Sequence, residues 1–266
     1  MQLEVINNTA VAPRWAVIRD ASANAYADYQ FARPYNRLRK ARLLTPPGAN
    51  TKLSKGTVPI YGLTLAPAGA SGYQLCPWRS PECEAACLGI TSGRSRFSNV
   101  QQARIDKTKF LMQDPYFFFR QLFDELQSVN MKHGFKFGFR SNVLSDIPWE
   151  TIAPEIYSFS DHNYDYTKSF HRAMESLNMV RPRLHLTLSY SGHNWDDCQR
   201  YLGMGGNVAM VFNVNRGHAL PNKHEGWAVI DGDLTDARFN DPMGGVIVGL
   251  RAKGNIKPRN FVVQSV

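Results

Sequence analysis

A repeated alternation limits what this 266-residue chain can fold into. Short runs of aliphatic and aromatic residues recur at 58–66, 135–140, 156–160, 184–189, 208–213, 227–230 and 245–250. Several are apolar at nearly every position, as in Val208-Ala209-Met210-Val211-Phe212. A strand with one wet face alternates apolar with polar, whereas a continuous run marks a strand covered on both faces, as in parallel sheets. Helical patterns separate the runs. Residues 98–112 carry Val100, Ala103, Ile105 and Phe110. Residues 114–131 open on Asp114-Pro115, a capping residue and a first-turn proline, and continue with the stripe Phe119, Leu122, Phe123, Leu126. Strand and helix in alternation predict an α/β architecture. The options are a partial or complete (β/α) barrel of six or seven mostly parallel strands, or an open doubly wound sheet. Residues 1–56 show little strand periodicity and read as a basic N-terminal extension ahead of a barrel-like domain at 57–266.

Parallel strands put their carboxyl ends on one edge, where such folds bind ligands. Polar residues follow each run here. Arg140, Asn142 and Asp146 follow the second, Asp165 and Lys168 the third, and Ser189 the fourth. Asn213 follows the fifth, Asp231 and Asp233 the sixth, and Arg251 the seventh. Asn142, Lys168, Ser189, Asn213 and Arg251 are therefore candidate ligand-binding residues, and Asp165, Lys168 and Asp231 candidate catalytic ones. A pocket holding Arg140, Lys168 and Arg251 would suit an anionic ligand. Asp236 and Arg238 read as a pair on the surface or rim. Ser145-Asp146-Ile147-Pro148-Trp149-Glu150 reads as a helix start, with Trp149 in the core.

The first run leads into Cys76-Pro77-Trp78-Arg79-Ser80-Pro81-Glu82-Cys83-Glu84-Ala85-Ala86-Cys87, a C-x6-C-x3-C spacing. The chain has only four cysteines, so packing alone does not account for three in one window. Thiolates this close can hold zinc or three corners of an iron–sulfur cluster, and three ligands leave one metal position open. Reactive thiols and inert buried cysteines are the competing readings. If residues 82–89 form one helix, Cys83 and Cys87 share a face, and a nearby helix N-terminus lowers thiol pKa values. Cys198, in a polar helical stretch, reads as a buried helix residue.

A net charge of +9 favours nucleic acid or an anionic small molecule as partner. Arg33, Arg37, Arg39, Lys40 and Arg42 crowd ten residues with Tyr35, either a phosphate-tracking surface or a solvated basic face. No window has the apolar length of a membrane helix, and no signal peptide is visible, so a cytoplasmic setting is expected. The histidines form no H-x-x-x-H or H-E-x-x-H pattern, and neither a Walker sequence nor a G-x-S-x-G elbow is present.

Several segments resemble the bacteriophage gene product 88 family. They are Asn50-Thr51-Lys52-Leu53-Ser54-Lys55-Gly56, Leu63-Thr64-Leu65-Ala66-Pro67-Ala68 and the cysteine window. Ser145 to Glu150, Tyr164 to Lys168, Asp231 to Pro242 and Val246 to Gly254 continue the likeness, which spans roughly residues 50–255. The resemblance implies a phage or prophage origin and the host cytoplasm. A first strand followed by a three-cysteine loop is also, more distantly, similar to radical S-adenosylmethionine enzymes. That likeness implies a [4Fe-4S] cluster on Cys76, Cys83 and Cys87, with S-adenosylmethionine on its open iron and Asn142, Lys168 or Ser189 recognising the amino-acid end. The spacing departs from that family's C-x3-C-x2-C, and Arg140-Ser141-Asn142 stands where its Gly-Gly-Glu element would follow the second strand. The expected function is a cluster-bearing enzyme of this kind. The alternative is a metal-stabilised nucleic-acid-binding or host-interaction protein without catalysis, with zinc as the alternative metal. A third reading, a divalent-ion nuclease or hydrolase using Asp231, Asp233, Asp236 and Asp241, rests on carboxylate oxygens alone.

Overall fold

The computed structural model describes residues 10–31, 41–49, 57–91, 93–178, 184–253 and 262–264. The chain opens with helix α1 (Trp15–Gln30) and strands β1 (Leu44–Thr45) and β2 (Ile60–Leu63), followed by two short helices, α2 (Pro81–Ala85) and α3 (Leu88–Thr91). Two long helices, α4 (Ser98–Gln113) and α5 (Pro115–His133), lead to β3 (Gly138–Arg140), α6 (Trp149–Ile152) and β4 (His162–Thr167). Then come α7 (Phe170–Asn178), β5 (His185–Ser189), α8 (Trp195–Gly203), β6 (Val208–Phe212), β7 (Lys223–His224), β8 (Trp227–Asp231), β9 (Ile247–Arg251) and β10 (Val262–Val263).

These strands form one ten-stranded sheet in the order β1-β2-β3-β4-β5-β6-β9-β8-β7, with β10 pairing β6 off this path. From β2 through β6, then β9 and β8, every neighbouring pair is parallel; β1 and β7 join antiparallel at the two ends. The fold is thus mixed α/β around a largely parallel sheet, as the alternation predicts. The sheet is not closed, because β1 and β7 end its path as separate edges. From β2 to β6 the chain steps across the sheet in one direction, without the reversal of a doubly wound fold.

Periodicity explains the main core. Phe118, Phe119, Leu122, Phe123, Leu126 and Val129 of α5 are all buried, against Leu63, Phe139, Ile147 and Trp149. Each large side chain so buried contributes about 2 kcal/mol of hydrophobic stabilisation. The Phe119 and Trp149 rings meet edge to face at 6.1 Å. A second cluster joins α7 and α8 to β5, β6 and β9, and holds Cys198 fully buried, as its helical setting predicts. Of the described residues before position 57, Ile18 and Ala25 of α1, Leu44 of β1 and the preceding Leu43 enter the first core. Val11 bridges Tyr73, so this segment also touches the loop that runs into Cys76. Of the basic cluster, Arg33, Arg37, Arg39 and Lys40 lie outside the described residues, as do Asn50 to Gly56 and Gly254.

One predicted strand is displaced. Of residues 156–160, apolar enough to read as a strand, 156–159 lie in a 3-10 helix, Pro154–Phe159, and Ser160 follows it. The strand is β4, whose Tyr164-Asp165-Tyr166-Thr167 reads as a polar loop. Tyr and Thr are good strand formers, and β4 buries its carboxylate by satisfying it, as described below.

Candidate functional site

The cysteine loop leaves the carboxyl end of β2 and is tied to the loop that leaves β3. Val143 N donates to Leu63 O at 3.3 Å, and Asp146 N to Leu75 O at 2.9 Å. Ala68 N donates to Cys76 Sγ at 3.3 Å, and the Cys76 thiol donates to Leu144 O at 3.7 Å. Ser80 caps α2: its Oγ accepts from Cys83 N at 3.2 Å and donates to Ser191 O, beyond β5, at 3.3 Å. The loop is therefore pinned to three strand ends.

All three cysteines are half-buried free thiols. Burial pushes the Cys76 thiol up to about 12, and Asp146, Cys87 and Cys83 push it the same way. Burial also raises Cys87, with Cys83 adding to the rise and Lys168 opposing it. These mutual effects place the three sulfurs, Asp146 and Lys168 in one electrostatic neighbourhood. The expected lowering by a helix N-terminus does not prevail at Cys76 and Cys87, because desolvation of a thiolate outweighs it. Nor do Cys83 and Cys87 share one continuous helix. α2 ends at Ala85, and Cys87 sits between it and α3. The break lets Gly89 lie against Leu144 and Pro67, where an added Cβ would be 2.9 Å and 3.1 Å from their side chains. Among the described residues no three His, Cys, Asp or Glu side chains are grouped to hold a metal ion. Cys76, Cys83 and Cys87 remain a chemically suitable soft donor set, once deprotonated. α2 itself buries none of its residues.

Beside the cysteines stands a buried clamp. Arg172 of α7 donates from Nε to Glu150 Oε1 at 2.6 Å and from Nη2 to Glu150 Oε2 at 2.9 Å, while Nη1 pairs with Asp146 Oδ1. Its guanidinium lies 5.2 Å from the ring centre of Trp78, between the first two cysteines. Asp146 Oδ2 accepts from Lys168 N at 3.0 Å, fixing the turn after β4. Burial raises the Asp146 carboxyl, and Arg172 and Lys168 pull it back.

The other sequence candidates divide into groups. Asn142 is wholly engaged: Oδ1 accepts from Ser145 Oγ and Ile147 N, and Nδ2 donates to Ile147 O and Asp165 Oδ2. Asp165 is fully buried and accepts from Asn142 N at 2.8 Å and from Ser141 Oγ. Burial pushes its carboxyl up to about 7 against these donors and Arg140. Both residues therefore brace the β3 loop, with no side-chain atom left over for a ligand at Asn142. Ser189 offers its carbonyl to Asn194 Nδ2 at 3.2 Å. Asn213 is exposed and donates to Gln264 Oε1 at 2.8 Å, beside β10. Arg251 grips Asp231 with two bonds of 2.8 Å and gives Nε to His218 O, while Lys253 binds Asp233 at 2.6 Å. That pairing holds Asp231 below the usual carboxylate range. Of the polar residues after the strands, Asp146 acts on the Cys76 thiol and Lys168 on Cys87.

Asp236 and Arg238 are not on the surface; both are almost completely buried. Arg140 Nη1 binds Asp236 at 2.9 Å, Tyr164 Oη does so at 2.9 Å, and Arg238 pairs with Asp241 at 3.3 Å. Sequence reading passes over Arg172, Arg104 and Thr108. Arg104 donates to Gly89 O at 2.9 Å, and Thr108 Oγ1 accepts from Ala66 N at 2.9 Å, both from α4 onto the cysteine loop. Their one signal is a polar residue on a helix that otherwise faces the core.

The profile of the gene product 88 family matches residues 36–265. No curated protein and no solved structure matches the chain. The likeness to radical S-adenosylmethionine enzymes gains no support from these comparisons. No helix among the described residues is long and apolar enough to cross a membrane.

Proposed function

Starting from a chain that belongs to the phage gene product 88 family, we propose that it is a metal- or cluster-dependent protein acting in the host cytoplasm. Cys76, Cys83 and Cys87 would hold the group, an iron–sulfur cluster or zinc, and Lys168 would meet an anionic ligand beside it. The observation that carries this reading is the electrostatic neighbourhood of the loop after β2. Cys83 and Cys87 raise the Cys76 thiol, Cys83 raises Cys87 while Lys168 opposes that rise, and Arg172 pairs with Asp146 beside the Trp78 ring. The position also supports it, since loops at the carboxyl ends of parallel strands are where such sheets place ligand sites. A bound cation would favour the thiolates that burial now disfavours. Its chemistry would be Lewis acidity for zinc or electron transfer for a cluster.

Single Cys→Ser variants test the reading. Serine at position 76, 83 or 87 should each abolish binding of added zinc or a reconstituted cluster, while Cys198→Ser should leave it intact. Equal binding by all four variants would defeat the assignment.

A further inference from the structure

We infer that the opposite edge of the sheet carries a second binding site, for a phosphate group. A cavity of about 410 Å³ opens there. Pro59, which precedes β2, and Lys132 and His133, in the last turn of α5 before β3, lie on its wall. Both strands begin at this edge, whereas the cysteine loop leaves β2 at its far end. The site is thus independent of the proposed metal centre.

Its chemistry is one-sided. Arg42, Lys132 and His133 line the cavity, and among the described residues no carboxylate does. Among the described residues neither Arg42 nor Lys132 enters an ion pair. Proline rings and Val129 supply the apolar wall. Tyr61 Oη lies 3.1 Å from His133 Nε2, which fixes that ring in the wall. Cations in the last turn of a helix commonly answer its dipole, and this accounts for Lys132. It does not account for Arg42, which arrives from the segment before β1 and lines the same cavity. Arg42 and Lys132, both exposed, bring two positive charges, more than one carboxylate neutralises. A phosphate, with up to two negative charges and three acceptor oxygens, matches them. The volume leaves room for the ring system of a nucleotide beside that phosphate.

The phosphate could belong to a free nucleotide or to a nucleic-acid strand, and two probes separate them. Adenosine monophosphate is titrated calorimetrically into the full chain, and a short labelled single-stranded DNA is followed by anisotropy. We expect the native chain to bind at least one. Binding of the monophosphate identifies a free nucleotide, and binding of DNA alone identifies a strand. The double variant Arg42→Glu/Lys132→Glu should bind the same probe at least about tenfold more weakly, since one lost charge-assisted hydrogen bond is worth that much. For DNA the salt dependence should also flatten, by roughly one in slope for each phosphate no longer neutralised. Circular dichroism checks folding; if charge reversal perturbs it, Arg42→Gln/Lys132→Gln replaces it with the same expectation. Failure of the native chain to bind either probe, or equal binding by a folded variant, would overturn the inference.

Discussion

Replacing Asp165 should reverse the sign of a stability difference between low and high pH. The carboxyl is fully buried, and burial raises it from 3.8 to about 7. The folded state therefore binds the proton more tightly than the unfolded chain. Between about pH 4 and pH 7 folding carries extra protons, so this group's contribution to stability falls as pH rises through that window. From pH 5 to pH 8 the loss is about 3 kcal/mol, from the difference in proton binding integrated at about 1.4 kcal/mol per unit. The protonated acid fits its site. It can donate to Ser141 Oγ, whose own proton then turns to Tyr157 Oη at 2.8 Å, while Oδ1 accepts from Asn142 N. Asparagine reproduces most of this and loses one bond, from Asn142 Nδ2, which keeps Ile147 O. Asp165→Asn should then be about 1 kcal/mol less stable than the native chain at pH 5. At pH 8 it should be about 2 kcal/mol more stable, because the variant escapes the loss that the native carboxyl suffers. Asp165→Ala should lose about 3 kcal/mol at pH 5, because Asn142 N is orphaned and a cavity remains. Urea unfolding followed by tryptophan fluorescence across this range measures all three. Parallel stability curves for the native chain and Asp165→Asn would refute the reasoning.

Arg172→Met should cost roughly 3–5 kcal/mol, because it strands Asp146 and Glu150 as buried, unpaired carboxylates; chemical denaturation at neutral pH checks this, and a loss below about 1 kcal/mol would mean the pair is solvated. Gly245→Ala should cost at least about 2 kcal/mol, since φ is +81° and the new Cβ would lie 2.2 Å from Leu202 O; an unchanged melting temperature would show that this loop shifts freely.

The alternation of apolar runs reveals the parallel sheet because a strand covered on both faces has no polar positions to disguise it. The same rule hides β4. Its Asp165 and Thr167 are buried yet polar, and only the partners Ser141 and Asn142, from a different strand end, make that possible for the carboxylate. Residues 156–160 have the composition of a strand, but Pro154 and the turn that follows it hold 156–159 in a 3-10 helix. The cysteine window is visible from spacing, because three of a chain's four cysteines rarely gather in one short stretch by chance. Its support is not. Arg172 is distant from Trp78 along the chain, and nothing local marks that it will reach it. Asp236 looks like half of a surface pair for the same reason: its partners Arg140 and Tyr164 reach it only when the strands come together. Sheet closure also escapes local pattern, since it depends on how the edge strands β1 and β7 pair.

The measurement that bears most directly on the proposed centre is metal and sulfide analysis of the full chain purified without oxygen. The account predicts bound metal that disappears when Cys76, Cys83 and Cys87 are all replaced by serine. Zinc alone would appear at about one per chain; a cluster would bring about four iron and four sulfide. A folded native chain that takes up no metal, or a triple variant that retains it, would contradict the account.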